Sequence, residues 1–163
     1  MKGVRPLFEG AYMARKKENA VILSQEMIAQ DIYSMWIKTD AAKDAAPGQF
    51  ISMYTNDGSR LLPRPISICE INKEEGSLRV VYRVTGKNTG TELFSRMKAG
   101  ETIPVIGPLG NGFPYEKASG KKVFLMGGGI GVPPILELAK QMNCGKKQII
   151  MGYRNSETFL KNE

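Results

Sequence analysis

The chain contains no histidine, and only two cysteines and one tryptophan among its 163 residues. Without histidine it lacks the commonest general base and every Ser-His or Cys-His nucleophile pair, which argues against the ordinary hydrolase arrangements. Cys69 and Cys144 are far apart in sequence and form no Cys-x-x-Cys pair. Neither a zinc site nor an iron–sulfur site can therefore be assembled from this chain alone. Long apolar runs are also missing. The first twenty residues, MKGVRPLFEGAYMARKKENA, hold no continuous apolar stretch of signal-peptide length, and nothing later is long enough to span a membrane. The expected location is the cytoplasm, with no membrane span.

What is present suits a folded protein. Hydrophobic residues make up 42% and charged residues 24%, the balance of a soluble globular chain rather than a disordered one. The length suits one domain, or one plus part of another. The net charge of +7 includes basic clusters at Arg15-Lys16-Lys17, Lys121-Lys122 and Lys146-Lys147. Such clusters can mark a nucleic-acid surface. Here they are scattered among acidic residues without interleaved aromatics, so the expectation is a solvated surface, no nucleic acid, and a general preference for anionic nucleotides.

Between residues 20 and 106 the pattern is of short β-rich runs, AVILS, DIYSMWIKT, FISMY, ISICEI, LRVVYRV and TIPVI, broken by Gly, Pro, Asn and Asp. This is barrel or sandwich spacing, in a meander or a Greek key. Within residues 31–39, Ile32, Ser34, Trp36 and Lys38 face one way and Tyr33, Met35 and Ile37 the other. Pro47-Gly48, Asn56-Asp57-Gly58 and Glu74-Glu75-Gly76 supply the turns. One helix interrupts the strands, since Leu93, Phe94 and Met97 fall at helical spacing before Gly100. After residue 120 the pattern becomes strand (123–126), helix (134–142), strand (148–153). That is one βαβ unit of a parallel sheet, with strands of the type covered on both faces. The expected division is an N-terminal extension at 1–16, a β-barrel at 17–115 and a partial α/β domain at 120–163. The methionines and Cys69 read as core residues.

Two runs carry chemistry. Arg64-Pro65-Ile66-Ser67 presents a guanidinium from a proline-stiffened segment, which suits a pyrophosphate, with a hydroxyl three residues on. An arginine paired with a surface carboxylate is the plain alternative. Gly127 to Pro134 reads GGGIGVPP, a glycine loop that follows an apolar strand and opens a helix with two prolines. Counted from Gly129 it is G-x-G-x-x-P, so the close helix packing that a third glycine normally gives must be arranged differently. A ligand-free strand-to-helix turn is its alternative. Gly90-Thr91 opens the short helix, where free amides favour an anion and an ordinary N-cap competes as an explanation. Tyr82 and Arg83 alternate in a strand, so only one of them can face a cofactor.

Taken in order, RPIS, VYRV, GTELFS, GPLGNGF and GGGIGVPP resemble the electron-transfer subunit of bacterial type B dihydroorotate dehydrogenase, within the ferredoxin–NADP reductase superfamily. The resemblance runs from about Lys17 to the end of the chain. It implies a Greek-key FAD-binding barrel followed by a partial nicotinamide-binding α/β domain. It implies electron transfer between NADH, FAD and a catalytic dihydroorotate dehydrogenase subunit, in pyrimidine biosynthesis. Arg64, Pro65, Ile66 and Ser67 would hold FAD, with Arg64 on phosphate and Ser67 near the ring. Val81, Tyr82 and Arg83 would follow along the next strand, with Gly90 and Thr91 at the pyrophosphate. Gly128, Gly129, Ile130, Gly131, Val132 and Pro133 would sit by the nicotinamide.

Two departures stand out. Ile66 replaces the superfamily's flavin-stacking tyrosine, and the cysteine cluster for [2Fe–2S] is missing from this sequence. The expectation is therefore an NAD site that is incomplete here, a sheet with an exposed edge and an exposed apolar face, and an iron–sulfur segment absent from the chain. A module that binds FAD or docks to a partner without turnover, and a general ferredoxin or flavodoxin reductase, are the alternatives.

Overall fold

The computed structural model describes residues 17–58 and 61–156. The expected N-terminal extension, most of the first basic cluster and the last seven residues of the expected α/β domain lie outside these.

Six strands close into an antiparallel barrel: β1 (Glu18–Ala29), β2 (Ile32–Lys38), β3 (Phe50–Met53), β4 (Arg64–Asn72), β5 (Ser77–Arg83) and β6 (Thr102–Leu109). Their order around the barrel is β1-β2-β5-β4-β3-β6. Because β2 pairs with β5 and β3 with β6, the barrel is a Greek key and not a meander. Closure removes the free strand edges that a six-stranded open sheet would present. Turn chemistry follows the sequence, with positive φ at Gly48 and at Gly76, where a side chain would be strained.

The strand alternation read from residues 31–39 is the one observed. Met35 and Ile37 face the barrel interior with Ile22, Ile51, Met53, Ile68, Leu78, Val80, Ile103 and Val105. Each such side chain contributes about 1.5–3 kcal/mol when fully buried. Ile32 instead faces outward and packs with Cys69, Val81 and Val132. The six-residue helix α1 (Gly90–Ser95) plugs the barrel through Phe94, which is fully buried. Its N-cap is Thr89, whose hydroxyl accepts from the Glu92 amide at 3.2 Å.

The second unit is β7 (Lys122–Gly128), α2 (Pro133–Gln141) and β8 (Lys146–Gly152), with β7 and β8 parallel. The strands are of the type covered on both faces, but among the described residues this sheet is covered on one face only and shows the exposed apolar face expected of a partial domain. Helix α2 packs on Leu125 and Val123 through Leu138 and Ile135. The alternate residues of β7, Phe124 and Met126, are 63% and 69% exposed. A single helix covers one face of a two-stranded sheet and leaves the other open.

Candidate functional site

Strand β4 begins at Arg64, so the proline-stiffened segment is already paired, Arg64 with Met53 and Pro65 with Ser52. Proline is tolerated there near the start of the strand. The Arg64 side chain runs across the start of α1. A β-carbon built on Gly90 would lie 3.1 Å from Nε of Arg64 and 3.3 Å from its Cζ. Gly90 is therefore the residue that lets the guanidinium lie against the helix N-terminus. Nη1 of Arg64 donates to the carbonyl of Leu62 at 2.9 Å and to that of Pro63 at 3.4 Å. Among the described residues, no carboxylate pairs with this guanidinium. The cation thus sits at a helix start without a carboxylate partner among the described residues, an arrangement suited to a phosphate group.

Alternation along β4 puts Arg64 and Ile66 on one face and Pro65 and Ser67 on the other. Pro65 and Ser67 are exposed, and Ile66 packs against the barrel core. Thr91 is nearly buried, and its hydroxyl lies 3.1 Å from that of Thr89.

Tyr82 is placed differently from the expectation. It is 1% exposed, with its ring stacked on Tyr33 at 5.9 Å and edge-on to Phe94 at 6.1 Å. Its hydroxyl donates to Oε1 of Gln25 at 2.7 Å. Burial pushes the phenol well above its ordinary range, and Tyr33 adds to the shift. The ring belongs to the core because β5 turns Leu78, Val80 and Tyr82 inward, leaving Val81 and Arg83 on the outer face. Gln25, which no sequence signal marked, joins this network to the helix. Its amide donates to the carbonyls of Phe94 and Met97 at 3.0 and 2.8 Å, capping the end of α1.

The glycine loop stands between β7 and α2 as expected, with a 3-10 turn at Gly129–Gly131 and Pro133 opening the helix. Gly129 has φ +52°. The close packing that a third fingerprint glycine would give comes from Gly127. A β-carbon there would lie 2.8 Å from Cδ1 of Ile135 and 3.0 Å from the carbonyl oxygen of Gly131. Gly128 and Ile130 stay exposed, while Val132 and Pro133 are buried. Val132 packs on Val81. The structure thus brings the expected site residues together in two groups, Arg64 with Gly90 and Val81 with Val132.

The barrel and α2 are also joined by polar groups that the sequence reading missed. Glu70 accepts from Nη1 of Arg79 at 2.6 Å and from Nζ of Lys140, and Nε of Arg79 donates to the Ser34 hydroxyl at 2.8 Å. Burial works to raise the Glu70 carboxyl, but Lys140 and Arg79 outweigh it and hold the group below its ordinary range. Among the described residues no cluster of His, Cys, Asp or Glu could hold a metal, and Cys69 and Cys144 form no disulfide. No helix among them is long and apolar enough to cross a membrane.

A Greek-key barrel with a cation at a capped helix, followed by a glycine loop in a βαβ unit, is a ferredoxin-reductase-like architecture. The oxidoreductase FAD-binding domain matches residues 19–114, more than half of the chain, and the protein belongs to that family. The dihydroorotate dehydrogenase B (NAD(+)) electron transfer subunits of Streptococcus mutans and of Enterococcus faecalis OG1RF are each 42% identical to it. These matches cover 90% and 89% of this chain but only 57% and 56% of the relatives. The chain thus spans a little over half the length of the curated relatives it matches. Among solved structures, an NADH-dependent reduced ferredoxin–NADP oxidoreductase studied for flavin-based electron bifurcation is 30% identical, with a TM-score of 0.75 over 88% of this chain and 51% of that one. A ferredoxin NADP+ reductase from Neisseria gonorrhoeae, 20% identical with a TM-score of 0.76 over 90% of this chain and 61% of its own, shares the fold.

Proposed function

We propose that this chain is the flavin-holding part of an electron-transfer subunit that passes electrons between NADH, FAD and a catalytic dihydroorotate dehydrogenase subunit in the cytoplasm. The observation that carries the reading is Arg64 lying across Gly90 with no carboxylate partner among the described residues. The residues present fit the cofactor: a side chain at Gly90 would fill the space that the guanidinium uses, and the adjoining helix start offers amides to a pyrophosphate.

When bound, FAD supplies two-electron acceptance from a nicotinamide and one-electron release toward a partner. The chain's own residues do the rest. Arg64 would neutralise phosphate charge, Gly90 and Thr91 would present the helix start, and the exposed Pro65 and Ser67 would line the ring along β4, with Ile66 packed on the barrel core behind them. Val81 and Arg83, with the backbone at Tyr82, continue the surface on β5. Residues 128–133 form the nicotinamide loop, in a domain beginning near residue 120 after a barrel at 17–115. The iron–sulfur group of this reading has no ligands among the described residues and belongs to another part of the assembly.

A second reading is that the chain holds FAD or docks to a partner without turnover. The exposed Phe124 and Met126 favour it, since that face calls for a cover. Titrating the purified chain with FAD and recording its visible spectrum tests the first claim, with Arg64→Ala expected to lose the bound-flavin spectrum. Anaerobic NADH then separates the readings: flavin bleaching supports transfer, and a bound flavin that NADH leaves oxidised supports the module.

A further inference from the structure

The polar contacts that join α2 to the barrel gather on one face of the helix. Glu137, Lys140 and Gln141 stand at i, i+3 and i+4 and so share that face. Glu137 is 5% exposed. Its carboxylate accepts from the backbone N–H of Ile71 at 2.9 Å and from Nε2 of Gln141 at 2.6 Å. A buried carboxylate is tolerated only when hydrogen-bonded in this way. Lys140, one turn on, reaches Glu70. Both receiving groups lie on β4 just past a bulge, where the register against β5 shifts between Ile68 and Glu70. The extra residue is Cys69, which packs outward toward Val132. Strand β3 stops pairing at Ser67, so the Ile71 amide finds its acceptor in a side chain of α2.

We propose that Glu137 and Lys140 are positioning residues, forming a polar latch that fixes the glycine loop against the barrel and thereby sets how a nicotinamide at that loop meets a flavin on β4. This rests on the reading above. The apolar cluster beneath α2, Val132 and Leu136 against Ile32, Cys69 and Val81, is non-directional and tolerates sliding. Hydrogen bonds to a single backbone amide and a single carboxylate do not. Glu137 lies about one turn on from Pro133, where the helix leaves the loop, so anchoring it holds the loop end of the helix. Placement errors of about 1 Å cost a bound reaction roughly 100-fold, a scale at which such a latch matters.

The test uses the whole chain with Glu137→Leu, Lys140→Met and the conservative Glu137→Gln. In the unloaded protein, hydrogen exchange at the Ile71 amide should quicken roughly tenfold or more in Glu137→Leu and return toward wild type in Glu137→Gln. Unchanged protection of Leu78 and Val80 reports an intact barrel. In the FAD-loaded protein, the limiting rate of anaerobic bleaching by NADH should fall roughly tenfold or more in Glu137→Leu and Lys140→Met. The half-saturating NADH concentration and the flavin spectrum should barely move, and Glu137→Gln should recover the rate. Unchanged Ile71 exchange overturns the latch. So does faster exchange with an unaltered bleaching rate, since the contact is then only structural. If Glu137→Leu loses core protection, Lys140→Met decides by the same rate criterion. A wild type that binds FAD yet is never bleached overturns the NADH reading and the positioning role together; a wild type bleached no faster than the variants overturns the latch alone.

Discussion

The Arg64 guanidinium occupies the space that a side chain at Gly90 would take, with Nε 3.1 Å from the position of the missing β-carbon. Two residues far apart in sequence thus meet at the start of α1.

Removing the guanidinium should weaken FAD binding by the worth of a charge-assisted hydrogen bond, about 1.5–3 kcal/mol or roughly 10- to 100-fold in affinity. Gly90→Ala should weaken FAD as well by displacing Arg64, yet leave thermal stability equal or higher, because alanine is about 1 kcal/mol better than glycine inside a helix. Fluorescence titration with FAD alongside melting curves checks both. Equal loss of affinity and stability in Gly90→Ala would contradict the steric argument.

Phe94→Ala should be the costliest of these changes, about 3–5 kcal/mol, because the ring is fully buried at the mouth of the barrel. Tyr82→Phe should cost about 1 kcal/mol, since it keeps the ring contacts and loses the bond to Gln25. Urea unfolding followed by the fluorescence of Trp36 measures the difference.

Gly127→Ala should loosen the second unit while sparing the barrel. The new methyl would meet Ile135 and the Gly131 carbonyl closer than contact distance, and overpacking of this kind costs about 1–3 kcal/mol. Hydrogen exchange should show lost protection in β7 and α2 and none in β2 and β5.

The Glu70 pair predicts a pH dependence. Its folded carboxyl lies below the unfolded reference of 4.5, so its contribution is present above that reference and fades as pH falls through the lower folded value. The melting-temperature gap between wild type and Glu70→Gln should therefore be constant near about pH 6 and shrink progressively below about pH 4.5. A gap that widens on acidification would reverse the sign of this assignment.

Most of the strand plan was open to reading because it is local. Period-two alternation in residues 31–39, glycine and proline at the turns, and the strand–glycine–helix order from residue 123 each depend on neighbours in the chain. The resemblance of the RPIS and GGGIGVPP runs likewise identified candidate residues. Tyr82 was harder to assign, because alternation says that it and Arg83 face apart but not which face is the barrel interior. Gln25 carries no local signature, and its role exists only because the barrel brings it to the end of α1 and to the Tyr82 hydroxyl. Glu70, Arg79, Glu137 and Lys140 carry no local signature, and only the bulge at Cys69 and the packing of α2 bring them together.

The sequence by itself thus determined the elements and their order and marked candidate residues for a phosphate, since these rest on backbone propensity and spacing. Tertiary structure alone decided which faces turned inward, that Arg64 meets Gly90, and how α2 fastens to β4. Those relations join residues far apart in the chain, and only barrel closure and the seating of α2 against β4 bring them within reach of one another.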